Sequence, residues 1–183
     1  MTATGSQPPR SPAGDQRPAA VAYPLHVVLY QPEIPQNTGN IGRTCVALGA
    51  KLWIVRPTAF RMDSTQLKRA GLDYWQHLAW EAVNSWEELL SRFDNPRLWL
   101  VTKFGQQAYF ETVFAAGDVL VIGRESNGLP EALRKEYANS QIRIPMPGQV
   151  RSLNQATSAA IVMYEAARQI GVLENVASIG DLS

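Results

Sequence analysis

The rest of the chain is organised around residues 144–168, which read IPMPGQVRSLNQATSAAIVMYEAAR. This stretch begins as the end of an apolar strand, passes through a loop rich in proline and glycine, and continues with apolar residues at helical spacing. We expect Ser152 to cap the N-terminus of this helix, because Gln155 follows it at the spacing of a capping box, and Gly171 to end it. The residues expected on the buried face of the helix are Leu153, Ala156, Ala160, Ile161, Tyr164 and Ala167.

The loop before this helix is the first candidate for a binding site. Arg151, Ser152 and Asn154 place three hydrogen-bonding side chains close to a helix N-terminus, where backbone N–H groups lack intrahelical partners. Such a position suits an anionic or electron-rich ligand. A well-capped core helix without a binding function is the alternative that this stretch alone leaves open.

The sequence before this stretch alternates apolar strands with helices. Strands are predicted at residues 25–30, 51–55, 77–83, 97–102, 118–123 and 141–145. Helices are predicted at residues 37–49, 64–72, 85–93 and 129–137. Continuous apolar strands in such an alternation are typical of a mainly parallel sheet with helices on both faces, so the predicted fold class is α/β. This pattern alone also permits a flavodoxin-like protein that binds a nucleotide or a flavin.

Length and composition indicate one domain. The chain of 183 residues is long enough for a substantial core, which we place at residues 23–173. Residues 1–22 are rich in Pro, Ala, Gly and Ser and are predicted to form a disordered tail, and residues 174–183 are predicted to form a flexible one. No membrane span is expected, because no apolar run approaches about 20 residues, and no secretory signal is expected, because the N-terminus lacks an apolar h-region.

Charge and cysteine content narrow the classes of function. The net charge of +1 gives no overall basic field, so a nucleic-acid partner would need a local basic patch. One Cys cannot form an internal disulfide, and one Cys with two His argues against a structural zinc site. A single cysteine is typical of proteins in a reducing cytoplasm, which is the predicted location of this protein. Cys45 and His26 fall within a helix and a strand and are expected to be structural.

Three unusual loops follow predicted strand ends, at residues 31–40, 123–129 and 145–152. In parallel sheets, ligands bind outside the carboxyl ends of the strands. We therefore expect these loops to converge on one site. The chain has no GxGxxG motif, and the second loop lacks the glycine spacing of a P-loop, so a standard dinucleotide or P-loop site is disfavoured.

The first two loops carry candidate polar residues. Gly39 and Gly42 lie in the opening turns of a helix, where each costs about 1 kcal/mol relative to Ala, which indicates close approach of a backbone or a ligand. Arg43 is offset from the apolar face of that helix and is expected to point away from the core, where a merely solvated Arg is the alternative. Glu125 has three open roles: to pair with Arg124 or Arg43, to orient a ligand hydroxyl, or to remain solvated.

Residues 68–77, KRAGLDYWQH, interleave Lys68 and Arg69 with two aromatic residues. Such a mixture of cations and aromatic rings can hold phosphates and stack on a base. Packing of the aromatic rings against a helix end is an equally favoured alternative. Lys103 and Phe104, after another strand end, would extend the same basic and aromatic patch.

Four segments together resemble the SPOUT class of RNA methyltransferases, in its SpoU/TrmH branch. They are LYQPEIPQNTGNIGRTC (29–45), RAGLDYW (69–75), VIGRESNGLP (121–130) and IRIPMPGQVRSLNQATSAAIVMYEAARQ (142–169). Within this branch the sequence looks most like the TrmL (YibK-like) group, which methylates the ribose 2′-oxygen of a cytidine or uridine at the tRNA wobble position. Methylation of another tRNA or rRNA nucleotide, and a non-catalytic RNA-binding protein of the same fold, are the alternatives.

The resemblance implies an α/β fold with a C-terminal trefoil knot that binds S-adenosylmethionine, a homodimer, and a tRNA substrate, without a metal. It implies functional polar residues, assigned here as catalytic, at Asn37, Arg43, Glu125 and Asn154. It implies cofactor contacts from Val101, Gly123, Ile144 and Ser152. The predicted substrate-binding residues are Arg43, Lys68, Arg69 and Tyr164, of which Tyr164 serves RNA binding or the dimer.

Our hypothesis for the chemistry centres on Arg43. This residue would hold the ribose-phosphate and lower the pKa of the ribose hydroxyl, either as a cation or as the base itself. Asn37 and Asn154 would orient loops or substrate, and Glu125 would fix Arg43 or the cofactor loop. Glu33 also lies at a position that is typical of the family.

Overall fold

The structure is a computed structural model that describes residues 23–61 and 74–174. The predicted tail at residues 1–22, the predicted helix at residues 64–72 and residues 175–183 lie outside the described residues. Two of the predicted substrate-binding residues, Lys68 and Arg69, therefore also lie outside them.

A parallel sheet forms the centre of the described chain. Its strands are β1 (Leu25–Tyr30), β2 (Lys51–Val55), β3 (Trp80–Val83), β4 (Leu98–Val101), β5 (Gln107–Ala108), β6 (Asp118–Ile122) and β7 (Gln141–Arg143). They are ordered β3-β2-β1-β6-β4-β7-β5, and every pairing between these strands is parallel. The predicted mainly parallel sheet is confirmed. Only β5 was not predicted, because a two-residue strand carries no hydrophobic period.

Four α-helices in the described residues cover this sheet. They are α1 (Pro35–Leu48), α2 (Trp86–Leu90), α3 (Glu131–Glu136) and α4 (Gln155–Gln169). In β1, Leu25, Val27 and Leu29 pack into the apolar cluster that contains α1 and α4, whereas Val28 packs with α2 and α3. Successive side chains of a strand point to opposite faces, so helices cover both faces as predicted. The trefoil knot stays a prediction from the family resemblance.

The ends of several elements differ from the predicted ends for local reasons. Helix α1 begins at Pro35, two residues earlier than predicted, because the first helical position tolerates a residue without an N–H group. It ends at Gly49, whose φ of 64° is left-handed and favours glycine. Strand β3 is shorter than predicted because a 3-10 turn occupies Trp75–His77.

The N-cap of α4 is Asn154, and the prediction that Ser152 caps this helix was wrong. The Oδ1 atom of Asn154 accepts the backbone N–H groups of Ala156 and Thr157 at 2.8 and 3.3 Å. Both Ser and Asn are good N-caps, so their relative order in the sequence did not decide between them. Gln155 becomes the first helical residue, and its side chain points into the protein instead of completing a capping box.

The face of α4 that packs on the sheet also differs from the predicted one. Its buried residues are Gln155, Ala159, Val162, Met163, Ala166 and Ala167. Of the predicted face only Ala167 is buried, and Tyr164 is 47% exposed. The prediction was wrong because α4 carries apolar residues around most of its circumference, so helical spacing fits two faces. We call the other apolar face, formed by Ala160, Ile161 and Tyr164, the outer face of α4.

Candidate functional site

A cavity of about 490 Å³ opens over the carboxyl ends of β1, β6, β4 and β7, which are neighbours in the sheet. The residues that follow each of these strands supply its walls. The three loops singled out from the sequence therefore converge, as predicted. We call this space the strand-end cavity.

Most of the predicted site residues line the strand-end cavity. All four predicted cofactor contacts do so, namely Val101, Gly123, Ile144 and Ser152. Three of the four predicted catalytic residues also do so, namely Asn37, Glu125 and Asn154. Of the predicted site residues that the structure describes, only Arg43 and Tyr164 are not part of the lining.

The turn after β6 requires glycine at position 123. A Cβ atom on Gly123 would lie 2.3 Å from the carbonyl carbon of Gly128 and 2.4 Å from the backbone nitrogen of Leu129. The turn is closed by the Arg124 N–H and the Gly128 N–H, each of which donates to the other residue's carbonyl oxygen, at 3.1 and 2.9 Å. The backbone at Gly123 therefore lies directly against the Gly128–Leu129 backbone, and this turn forms part of the cavity wall.

Glu125 caps the N-terminus of α1. Its carboxylate accepts the backbone N–H groups of Glu33 and Ile34 at 2.8 and 3.1 Å, and the side-chain N–H of Asn37 at 3.2 Å. Ile34 is the N-cap residue and has no side-chain acceptor of its own, and Glu125, from a distant loop, binds the two backbone N–H groups that lead into the helix. A carboxylate at this end of a helix also interacts favourably with the helix dipole. This role lies outside the three that the sequence left open.

The carboxylate of Glu33, in the loop after β1, binds in turn to the loop after β6. The backbone N–H and the hydroxyl of Ser126 donate to the carboxylate of Glu33 at 2.9 and 2.8 Å. The hydrogen bond from the Ser126 backbone is the main reason that the pKa of Glu33 lies below its usual value, with smaller contributions from the Ser126 hydroxyl and Arg124. The loop after β1 and the loop after β6 thus hold each other through two acidic side chains. We call this pair of contacts the reciprocal carboxylate link.

Asn37 connects this link to the third loop. It is buried, donates to Glu125, and accepts a hydrogen bond of 2.9 Å from the side-chain N–H of Asn154. Because Asn154 also caps α4, a continuous set of hydrogen bonds runs from the loop after β6 to the N-termini of α1 and α4. The predicted polar residues therefore act on one another, although they are far apart in the sequence.

Gln155 is a cavity residue that the sequence did not identify. Its side-chain N–H donates to the Gly123 carbonyl at 2.7 Å, which fixes the orientation of the amide, since a carbonyl oxygen needs a donor. Its own carbonyl oxygen is buried without a partner among the described residues, although Gln155 lines the cavity. A buried acceptor without a donor is costly, so this atom suits a ligand that presents an N–H or O–H group.

Arg43 lies on the exposed surface of α1, as predicted. It is six residues beyond Asn37, which corresponds to about 9 Å along the helix axis. Its guanidinium carbon lies 4.7 Å from the centre of the Tyr74 ring, and the Tyr74 hydroxyl donates to the Gly39 carbonyl at 2.6 Å. The aromatic segment that begins at Tyr74 therefore holds Arg43 against α1.

The aromatic segment that begins at Tyr74 also explains why a glycine stands at position 42 of α1. A Cβ atom on Gly42 would lie 3.1 Å from side-chain atoms of both Trp75 and Leu78. The close approach expected at this glycine is thus made by side chains of the protein. For Trp75, the structural alternative of packing against a helix is confirmed.

Of the residues expected to be structural, Cys45 is fully buried and His26 is partly buried. Burial raises the pKa of the Cys45 thiol. The Nδ1 atom of His26 accepts the indole N–H of Trp53 at 3.1 Å, and burial, with a smaller effect of Lys51, lowers the pKa of His26 to about 4. Within residues 23–61 and 74–174, no group of three or more His, Cys, Asp or Glu side chains could hold a metal ion. Nor does a helix there have the length and apolarity of a membrane span.

Known proteins resemble this chain over most of its length. A protein from Bacillus subtilis (strain 168), described as a putative tRNA (cytidine(34)-2'-O)-methyltransferase, is 47% identical over 150 residues, which are 79% of this chain and 92% of that protein. A solved structure that describes the 2-OH methylation of C/U34 on tRNA is 45% identical with a TM-score of 0.76, over 79% of this chain and 95% of that one.

More distant structures share the fold. The SpoU methyltransferase AviRb from Streptomyces viridochromogenes, solved in complex with AdoMet, is 30% identical with a TM-score of 0.71, over 86% of this chain and 62% of that one. Residues 24–164 of this chain match the SpoU rRNA Methylase family. The chain belongs to the SpoU rRNA methylase family.

Proposed function

We propose that this protein transfers a methyl group from S-adenosylmethionine to a ribose 2′-oxygen of tRNA, at the cytidine or uridine of wobble position 34. The observation that carries the proposal is the convergence on the strand-end cavity of all four predicted cofactor residues and of three of the four predicted catalytic residues. The relatives that are described as acting on position 34 are matched over 92% and 95% of their length. A tRNA substrate places the enzyme in the cytoplasm.

The cavity lining fits S-adenosylmethionine. Val101 and Ile144 offer apolar contacts to the adenine ring, and the Gly123 turn lets backbone groups approach it closely. The unpartnered carbonyl oxygen of Gln155 suits the amino group or the ribose hydroxyls of the adenosyl part, which are donors. Ser152, which stands two residues before the N-cap of α4, completes the set. When bound, the cofactor supplies a methyl group on a positively charged sulfur, an electrophile that needs no metal.

The task left to the protein is to align the ribose hydroxyl and to help its proton leave. Alignment of two reactants can lower a barrier by about 7–11 kcal/mol in ideal cases. Proton removal typically adds about 10²–10⁴-fold in rate. The hydrogen bonds among Glu125, Asn37 and Asn154 hold three loops in fixed relation, which is the structural requirement for alignment.

Arg43 binds the ribose-phosphate and lowers the pKa of the hydroxyl. Its position on the exposed surface of α1, against Tyr74, makes it accessible to RNA. Because a guanidinium hardly loses its proton in a protein, Arg43 acts as a cation, and the hydroxyl proton leaves through water or a phosphate. The Tyr74 ring restricts the rotamers of Arg43 and so reduces the entropy lost on binding.

A homodimer is part of the proposal. The outer face of α4 is apolar, and its central residue Tyr164 is 47% exposed. Ile34, at the start of the neighbouring helix α1, is 42% exposed as well. A second copy of the chain would bury this surface and bring a second Arg43 into the assembly. Sedimentation should therefore give twice the chain mass of 20.2 kDa.

The proposal is tested by measuring two properties of the Arg43→Ala variant. We expect it to lose transfer of tritiated methyl groups to bulk tRNA and to keep nearly the same affinity for S-adenosylhomocysteine by calorimetry. The control is Arg92→Ala, because Arg92 is also an exposed arginine, lies beside α2 and pairs with Glu88. An inactive wild-type protein that still binds tRNA would indicate an RNA-binding protein, and an equal loss of cofactor affinity would show that Arg43 is structural.

A further inference from the structure

Phe104 is an exposed aromatic residue on the wall of the strand-end cavity. It follows β4 by three residues and is 55% exposed. The guanidinium carbon of Arg134 lies 4.1 Å from the centre of its ring, and the ammonium of Lys103 lies 5.2 Å from it. Both cations therefore lie over the ring, and more than half of Phe104 remains exposed to solvent.

The segment that carries Phe104 is held firmly. The Thr102 N–H donates to the Ile142 carbonyl at 2.9 Å, and the Arg143 guanidinium donates to the Gly105 carbonyl at 3.0 Å. A Cβ atom on Gly105 would lie 2.6 Å from the carbonyl carbon of Ile142, so this segment lies directly against the β7 backbone. The exposed ring is thus presented by a fixed backbone, which lowers the entropy cost of stacking on it.

The charge of the cavity lining distinguishes between two ligands. Among the described residues that line the cavity, Lys103, Arg124 and Arg134 are cationic, and Glu125 is the sole acidic residue. Glu125 is already engaged by the N-terminus of α1. S-adenosylmethionine fits the apolar and backbone parts of the lining, but its net charge is positive, so it does not account for this excess of cations. Phosphates of RNA are the ligand that such a surface attracts.

We infer that Phe104, Lys103 and Arg134 form a subsite for a nucleotide next to the methylated ribose, with a base stacked on the Phe104 ring and a phosphate near the two cations. The inference rests on the proposed function, because it assumes that the RNA enters the strand-end cavity. Aromatic rings beside cations bind unstacked bases of single-stranded RNA without reading their sequence. A wobble nucleotide lies in an anticodon loop, where neighbouring bases can unstack.

The test compares Phe104→Ala with Phe110→Ala. Phe110 is the matched control because it is 56% exposed, lies in another part of the chain and packs only edge-on with Tyr109 among the described rings. We expect Phe104→Ala to weaken tRNA binding about tenfold, Phe104→Trp to retain it, and Phe110→Ala to leave it unchanged. The affinity for S-adenosylhomocysteine, measured by calorimetry, should be the same in all three variants.

The salt dependence of tRNA affinity distinguishes the contribution of the Phe104 ring from that of the two cations. Lys103→Ala and Arg134→Ala should each reduce the slope of log affinity for tRNA against log salt by about 0.7, the value for one phosphate contact on a single strand. Phe104→Ala should weaken binding and leave this slope unchanged, because stacking releases no counterions.

Three results would overturn the inference. Equal tRNA affinity of Phe104→Ala and Phe110→Ala would exclude a stacking role. Loss of S-adenosylhomocysteine affinity in Phe104→Ala would assign the ring to the cofactor, and a shift to a lighter species in sedimentation would assign it to a contact between copies. If the wild-type protein still methylates tRNA, any of these results overturns only the subsite and leaves the proposed function intact. If the wild-type protein does not methylate tRNA, the proposed function and the subsite both fail.

Discussion

The two sides of the strand-end cavity are built differently. On one side, the loops after β1 and β6 are joined by the reciprocal carboxylate link of Glu33 and Glu125. On the other side, residues 145–153 are mostly exposed and make no hydrogen bond to the rest of the described chain. The first side is organised before a ligand arrives. The second side lacks such hydrogen bonds, and elements of this kind open most easily, so we expect a bound ligand to order it.

The largest effect is expected when the organised side is disrupted at its tightest point. In Gly123→Ala, the new methyl group would meet the Gly128 backbone at 2.3 Å, so the turn must shift. We expect a loss of about 1–3 kcal/mol in the free energy of unfolding and at least about a tenfold loss of S-adenosylhomocysteine affinity. Chemical denaturation and calorimetry measure the two quantities.

Gly148→Ala is the control on the open side. No atom lies within 4 Å of a Cβ at Gly148, so the change in the free energy of unfolding should stay within about 0.5 kcal/mol. Equal effects of the two substitutions would contradict the contrast between the two sides.

Cofactor binding should order the open side selectively. We expect S-adenosylhomocysteine to slow amide hydrogen exchange in residues 145–153 by about tenfold or more, because binding supplies the missing contacts. Residues 33–38, which the reciprocal carboxylate link already holds, should change less. Mass spectrometry of the protein with and without ligand measures both, and the opposite order would show that the organised side is the one that closes.

A smaller effect is expected when the cap of α1 loses its charge. Glu125→Gln retains the shape of the side chain but replaces one acceptor oxygen with an N–H₂ group that faces backbone donors. The free energy of unfolding should fall by about 1–2 kcal/mol, and the rate of methyl transfer to tRNA should also fall. Glu131→Gln is the control, since Glu131 is an exposed acid at the start of α3 that pairs with Lys135. If Glu125→Gln is as stable and as active as Glu131→Gln, the charge of Glu125 contributes to neither property.

The smallest effect is expected at Glu33, and it depends on pH. The pKa of Glu33 in the folded protein is lowered, so its contribution to stability is complete above the unfolded value of 4.5 and is lost as the pH falls through the folded value. Glu33→Gln should therefore lower the melting temperature at pH 7, and the difference from wild type should shrink below pH 4.5. A difference that stays constant from pH 7 to pH 3 would show that the charge of Glu33 is not involved.

The sequence predicted the parts of this molecule that depend on short-range patterns. Most strands of the parallel sheet followed from apolar runs, and the meeting of three loops followed from the rule that strand ends in parallel sheets lie together. The N-cap of α4 was assigned wrongly because Ser152 and Asn154 are comparable caps, and only their contacts decide between them. The buried face of α4 was assigned wrongly because that helix has two apolar faces, and helical spacing alone does not decide which of them packs on the sheet.

The polar connections of the site could not be predicted from spacing. Glu33 and Ser126 are 93 residues apart, and Asn37 and Asn154 are 117 residues apart, so no local pattern relates them. Gln155 was missed because its position three residues after a serine also satisfies a capping box. The family resemblance identified Asn37, Glu125 and Asn154 without showing that they bond to one another.

The most direct test of the proposed function is the position of the methyl group that the protein adds to tRNA. Unmodified tRNA with cytidine or uridine at position 34 is incubated with the wild-type protein and S-adenosylmethionine, and 2′-O-methyl sites are mapped by nuclease digestion and mass spectrometry. We predict one methyl group, on the ribose of nucleotide 34, and none with Arg43→Ala. A methyl group on a base, on another nucleotide, or on no tRNA at all would contradict the account.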